Sequence, residues 1–119
     1  MTPRDLEAAK EELQRRRRAI VEATRRADAE ADALLDAGRG PEFEEEAQAS
    51  QGLADLARMS DAERLEVQRI DAALERLAKG GYGICAACGE PIEPRRLKAL
   101  PSAVRCAACA AALEREART

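Results

Sequence analysis

Two cysteine pairs, Cys85-Ala-Ala-Cys88 followed by Gly89 and, after a 17-residue spacer, Cys106-Ala-Ala-Cys109, constrain this chain more than any other feature. A C-x2-C segment makes a tight turn that aims two sulfurs at one point, and two such turns supply four thiolates to one ion at ~2.3 Å. Gly89 offers the positive φ such a turn often needs. The chain contains no His, which excludes a mixed Cys/His finger as well as Ser-His-Asp and Cys-His nucleophilic sites. Four cysteine ligands leave no position open for water, so the spacing predicts one structural Zn2+ held by Cys85, Cys88, Cys106 and Cys109. Its apparent binding energy, roughly 10–16 kcal/mol, would stand in for a core in so small a segment. The rival chemistry is a thiol/zinc redox sensor. A thioredoxin-type dithiol, however, normally sits on a βαβ scaffold, and the sequence offers no strands to build one.

The remainder must be elongated or stapled. Phe43 and Tyr82 are the only aromatic residues among 119, and aromatic side chains supply much of the bulk of ordinary cores. No apolar run exceeds eight residues, so neither a membrane-spanning helix nor a secretory signal is expected. Four cysteines then suit a cytoplasmic chain whose thiols stay reduced and hold metal. A net charge of −3 argues against nonspecific coating of DNA, which needs a basic face.

Residues 1–79 read as an antiparallel coiled-coil hairpin with its tip near 36–47, and residues 80–119 as a zinc-finger module with a short terminal helix. Leu6, Leu13, Ile20, Ala27 and Leu34 recur every seven residues and predict one seam. Gly38 suits a helix end and Pro41 the first turn of the next helix, where Glu42, Glu44, Glu45 and Glu46 meet its positive pole. A second segment, from about 42 to 79, places Leu53, Leu56, Val67, Ile70, Leu74 and Leu77 on one stripe. Ser60-x-x-Glu63 has capping-box spacing, but no Gly or Pro lies between 53 and 79, and the expectation is one continuous helix. Arg15 to Arg18 look like a nucleic-acid patch, yet four consecutive helical residues spread around the helix, and nearby Glu residues favour solvated charge. Residues 80–119 carry six Lys or Arg against four Glu, a surplus that would offset a Zn2+–tetrathiolate charge of −2.

The run Tyr82-Gly-Ile-Cys85-Ala-Ala-Cys88-Gly-Glu-Pro-Ile92, with Arg95-Arg-Leu97, Pro101 and Cys106-Ala-Ala-Cys109, resembles the DksA/TraR family of bacterial zinc-finger transcription regulators. The upstream hairpin is similar to the family's coiled coil, although known members are longer at the N-terminus. The resemblance implies a non-enzymatic regulator that binds RNA polymerase directly, makes no sequence-specific DNA contact, and acts as a monomer. It further implies that the coiled coil enters the polymerase secondary channel with its tip near the catalytic magnesium. The family's D-x-x-D-x-A tip motif falls, by ungapped counting, on Glu42, Glu45 and Ala47, each Asp being replaced by Glu. Phe43 lies between them and either covers Leu34 or Leu35 across the turn or anchors a partner. Positions that contact the alarmone ppGpp in the family fall on Glu66, Arg69, Leu100 and Ala110. Only Arg69 is basic, which implies lost or altered co-operation with ppGpp. Arg95 and Arg96 are further candidate polymerase contacts. The competing function is a zinc-stabilised coiled-coil adaptor for an unrelated protein.

Overall fold

The computed structural model describes residues 1–35 and 51–118. The tip at 36–47, with Glu42, Phe43, Glu45 and Ala47, lies outside the described residues. Among the described residues five helices occur in order: α1 (Pro3–Leu35), α2 (Gln51–Arg58), α3 (Asp61–Lys79), α4 (Pro94–Ala99) and α5 (Ala107–Arg118). Among the described residues the only β pairing is one antiparallel bridge between Ile84 and Pro91.

α1 begins on a reciprocal cap. The Thr2 hydroxyl accepts from the Asp5 N–H at 3.1 Å, the Asp5 carboxylate accepts from the Thr2 N–H at 3.0 Å, and Pro3 occupies the first turn, where its missing N–H costs nothing. Antiparallel packing against α2 and α3 is recorded in Arg17–Asp71 at 2.8 Å and Arg25–Asp55 at 2.9 Å, whose numbers run in opposite directions, and Asp28–Arg58 at 3.2 Å adds a third pair across the hairpin.

The expected seam of α1 holds only in its first half. Leu13 is fully buried and Leu6 and Ile20 are half-buried, but Ala27 is exposed and Leu34 is 88% exposed. An α-helix turns every 3.6 residues, so a seven-residue repeat drifts by ~20° per heptad unless the helices supercoil to follow it. Beyond Ile20 the seam advances by fours instead, through buried Thr24 to Asp28. The partner stripe shows the same change: Val67 and Ile70 are buried, Leu74 and Leu77 half-buried, but Leu53 is 76% exposed. The polar Asp55 takes the buried place in α2.

The second arm is not one continuous helix. It breaks at Met59-Ser60, where Ser60 adopts φ −63°, ψ 163° and caps α3 with both halves of a capping box: Glu63 N–H to Ser60 Oγ at 3.2 Å and Ser60 N–H to Glu63 Oε1 at 3.1 Å. Arg64 completes the junction by donating to the carbonyls of Leu56 and Met59, both at 3.0 Å, so the last turn of α2 is satisfied by a side chain. With both helix ends capped, a break needs neither Gly nor Pro.

α3 ends at Gly80 (φ 87°), and the N–H groups of Gly80 and Gly81 both bond the Arg76 carbonyl. Beyond it the cysteine segment packs straight onto the arm. Leu13, Ile70 and Ala73 of the helices form one buried cluster with Tyr82, Cys85, Ile92, Leu97 and Cys106. The module and the hairpin base therefore share a core, with the Tyr82 hydroxyl donating to the Pro101 carbonyl at 2.8 Å inside it.

Candidate metal centre

The first cysteine turn is built by backbone. Cys85 N–H bonds the Glu90 carbonyl at 2.8 Å, Gly89 N–H bonds back to the Cys85 carbonyl at 3.0 Å, and Gly89 takes φ 76° to close the loop. Gly83, also at positive φ, lies so near Met1 that an added Cβ would meet its sulfur at 2.8 Å. The second turn runs into α5, whose Ala110 N–H bonds the Cys106 carbonyl at 2.9 Å. The two turns are joined by Ala86 N–H to the Val104 carbonyl at 2.8 Å.

This places the sulfurs of Cys85, Cys88, Cys106 and Cys109 within 4.8 Å of one another. A tetrahedron with ~2.3 Å metal–sulfur bonds has sulfurs ~3.8 Å apart, and Cys88 and Cys106 stand at 3.9 Å. The spacing, the soft donors and the absence of His all fit Zn2+. The thiols are poised unevenly for it. N–H groups of Cys106, Cys88 and Ala87 hold the Cys85 thiol down to about 6, while the surrounding sulfurs of Cys106, Cys85 and Cys88 push Cys109 up to about 12. Four thiols in one place resist joint ionisation, and a dication is what reverses that balance. When bound, zinc supplies a structural crosslink.

Several residues support the site in ways the sequence does not signal. The Glu93 carboxylate accepts from the Ala107 N–H at 3.2 Å, so the first amide of α5 is taken by Glu93. Arg96 Nε donates to the Arg105 carbonyl at 2.9 Å, beside the third ligand, and so braces the second turn. Arg76 reaches from the last turn of α3 to the Ile84 carbonyl and, at 3.5 Å, to the Val104 carbonyl. Glu93 and Arg76 carry no motif, and Arg96, which stands in the Arg95-Arg-Leu97 element, gives no sign there of its bond to the Arg105 carbonyl, since each reads a backbone group distant in sequence.

The remaining predicted residues are dispersed. Arg69 and Arg95 are exposed. Glu66 accepts from Ser102 Oγ at 3.0 Å, which brings it close to the segment carrying the half-exposed Leu100. Arg15 and Arg16 both bind Glu12, at 2.6 and 2.9 Å, Arg16 also donates to the Ala99 carbonyl at 3.4 Å, and Arg17 pairs with Asp71. The arginine run therefore serves local and cross-hairpin ion pairs.

Comparison with known proteins fits this architecture. The family described as the prokaryotic dksA/traR C4-type zinc finger matches residues 80–115. The RNA polymerase-binding transcription factor DksA of Haemophilus influenzae is 42% identical over 52 residues, 44% of this chain and 36% of that protein. The chain spans less than half the length of the curated relatives it matches. Transcription factor DksA2 from Pseudomonas aeruginosa superposes with a TM-score of 0.70 at 27% identity, over 99% of this chain and 89% of that one. The DnaK suppressor protein from Agrobacterium tumefaciens gives 0.63 at 30% identity, over 89% and 91%. The centre is thus a single structural zinc site of the four-cysteine type. With the motif match in the module and the fold match running almost end to end, the chain belongs to the DksA/TraR zinc-finger family.

Proposed function

We propose that this chain is a non-enzymatic transcription regulator that binds RNA polymerase directly and inserts its helical arm into the secondary channel. One observation carries the reading: the fold agrees with DksA2 over 99% of the chain, arm and zinc module together. Relatives named as RNA polymerase-binding transcription factors support the partner. In this reading the zinc module fixes the base, and Glu42 and Glu45 act on the active-site environment, with Phe43 beside them and Ala47 allowing close approach. The Asp-to-Glu exchange moves each charge outward by roughly 1 Å, a shift to which catalytic geometry is sensitive. Arg69, Arg95 and Arg96 are the candidate contacts at the base. Arg69 is the only cation among the four alarmone positions, so the protein acts without strong ppGpp co-operation. It works as a cytoplasmic monomer without sequence-specific DNA contact. No helix among the described residues is long and apolar enough to cross a membrane.

A photo-crosslinker at position 45 tests the reading against purified RNA polymerase. Crosslinks to the loops around the catalytic magnesium are expected. Their absence, where a known secondary-channel factor crosslinks, refutes channel insertion and leaves the adaptor reading. Transcription with Glu42→Ala and Glu45→Ala combined tests the carboxylates: unchanged output with intact binding removes them from the mechanism.

A further inference from the structure

Among the described residues, Arg76 is the one side chain of the arm seen to touch the backbone of both cysteine turns. Its guanidinium donates to the carbonyl of Ile84, the residue before Cys85, and to the carbonyl of Val104, two residues before Cys106. Val104 also receives the Ala86 N–H at 2.8 Å, so the arm and the first turn converge on one acceptor in the second. The side chain reaches there by folding over the turn that ends α3. Its Nε lies 3.8 Å from where a Cβ on Gly81 would stand, and its own carbonyl takes both the Gly80 and Gly81 amides. The Arg76 backbone therefore ends the helix while its side chain fixes the cysteine segment beyond it.

A planar guanidinium can hold two acceptors at a fixed angle, which a single ammonium cannot. We propose that Arg76 is a positioning residue that couples the direction of the arm to the metal-bound geometry of both cysteine turns. Zinc fixes the turns, the turns fix the two carbonyls, and the carbonyls fix the last turn of α3. The inference stands whether or not the protein enters RNA polymerase.

The test uses the full-length zinc-loaded protein and two readouts: the rate of zinc transfer to an excess of a coloured chelator, and residual dipolar couplings that report the orientation of α3 relative to α5. Partners that orient metal ligands are worth about 10- to 100-fold in metal affinity, so Arg76→Gln should release zinc faster by at least tenfold. Its α3 and α5 couplings should no longer fit one rigid orientation. Arg76→Lys keeps the charge and loses the fork, and should fall between the parent and Arg76→Gln in release while still averaging the orientation. Lys79→Ala removes a cation of the same helical turn whose partner is Glu75, and should match the parent in both readouts. The proposal is overturned if Arg76→Lys matches the parent, if release from both Arg76 variants stays within twofold of the parent, or if Lys79→Ala accelerates release as much as Arg76→Gln does. Should Arg76→Gln fail to fold, Arg76→Lys alone decides, since unchanged couplings in that variant refute the fork.

Discussion

Ile70→Ala is a direct probe of the shared core, because Ile70 belongs to the arm yet is buried with zinc-module residues. The side chain is 0% exposed and sits in the cluster that includes Leu13, Tyr82, Cys85, Ile92 and Leu97. Truncation removes three carbon groups, a transfer loss of about 2.4 kcal/mol at ~0.8 kcal/mol each. The cavity left behind brings the expected cost to about 2–5 kcal/mol. For a chain of this size that lowers Tm by roughly 10 °C. The second consequence is the decisive one. If one core supports both parts, the same loss appears in opening of the cysteine segment, and zinc transfer to a chelator accelerates by about tenfold for each 1.4 kcal/mol that reaches it. Circular dichroism melting and chelator kinetics are read on the same preparation, with Leu65→Ala, at 46% exposure, as the surface control. A lower Tm with zinc release unchanged would refute the shared core and leave two units that merely touch.

Ser60→Ala removes the oxygen that caps α3, should cost about 0.5–2 kcal/mol in urea unfolding, and should slow nothing in zinc binding. Acid should loosen the start of α1 and α3 before it unfolds the rest. Hydrogen bonds from Arg15 and Arg16 hold Glu12 down to about 2, and those from Thr2 and Ser60 lower Asp5 and Glu63. A depressed carboxylate contributes fully above its ordinary value and loses that contribution as pH falls through the folded one, so NMR shifts of the Asp5 and Glu63 amides should move only below the ordinary carboxylate range, and those around Glu12 as pH falls toward about 2. The outer arm should be salt-sensitive: its cross-helix contacts include Arg25–Asp55 and Asp28–Arg58, so raising NaCl to ~0.5 M should speed amide exchange in 21–35 and 51–58 more than in 61–79. Equal acceleration across the three segments would show that those pairs do not hold the outer arm together.

Legibility in the sequence depends on how local each determinant is. The metal cluster needs only two short turns at a fixed separation, so Cys85, Cys88, Cys106 and Cys109 declare themselves by spacing alone. Leu13, Val67 and Ile70 are equally legible, because near the base the heptad has not drifted far from a real helix. Ala27, Leu34 and Leu53 mislead for the same reason further out, where the seam has moved to Thr24 and Asp55. The break at Ser60 is written as S-x-x-E, but the lack of Gly and Pro argues more strongly for continuity than the cap argues against it. What tips the balance is Arg64, whose two carbonyl contacts close the end of α2, and no spacing rule encodes that. Arg76 and Glu93 are unreadable in principle, since their partners are backbone atoms brought near only by the fold.

The distribution of polar and apolar contacts along the arm sets what the protein can aim. α1 has 33 residues and is ~50 Å long, so a rotation of about 1° at its base displaces the far end by ~1 Å. A reading in which Glu42 and Glu45 act on a catalytic centre therefore demands most rigidity where the lever is shortest. The contacts are arranged that way: around Leu13 and Ile70 the helices share a buried core with the metal turns, and Arg16, Arg76 and Ser102 add bonds between arm and module. Outward from the Met59-Ser60 junction the arm is held by Arg25–Asp55 and Asp28–Arg58, whose arginines are about half exposed and whose strength water and salt can tune. A stiff base with a more yielding outer arm directs the far end within a narrow cone and still lets it adjust to what it meets. Zinc removal should then cost direction before it costs helix. The apo protein should retain much of its far-UV helical signal, as α1, α2 and α3 keep their caps and ion pairs, while losing the fixed orientation of α3 relative to α5. Complete loss of helix on chelation would instead mean that the arm has no stability apart from the metal, and the division into stiff base and yielding arm would be wrong.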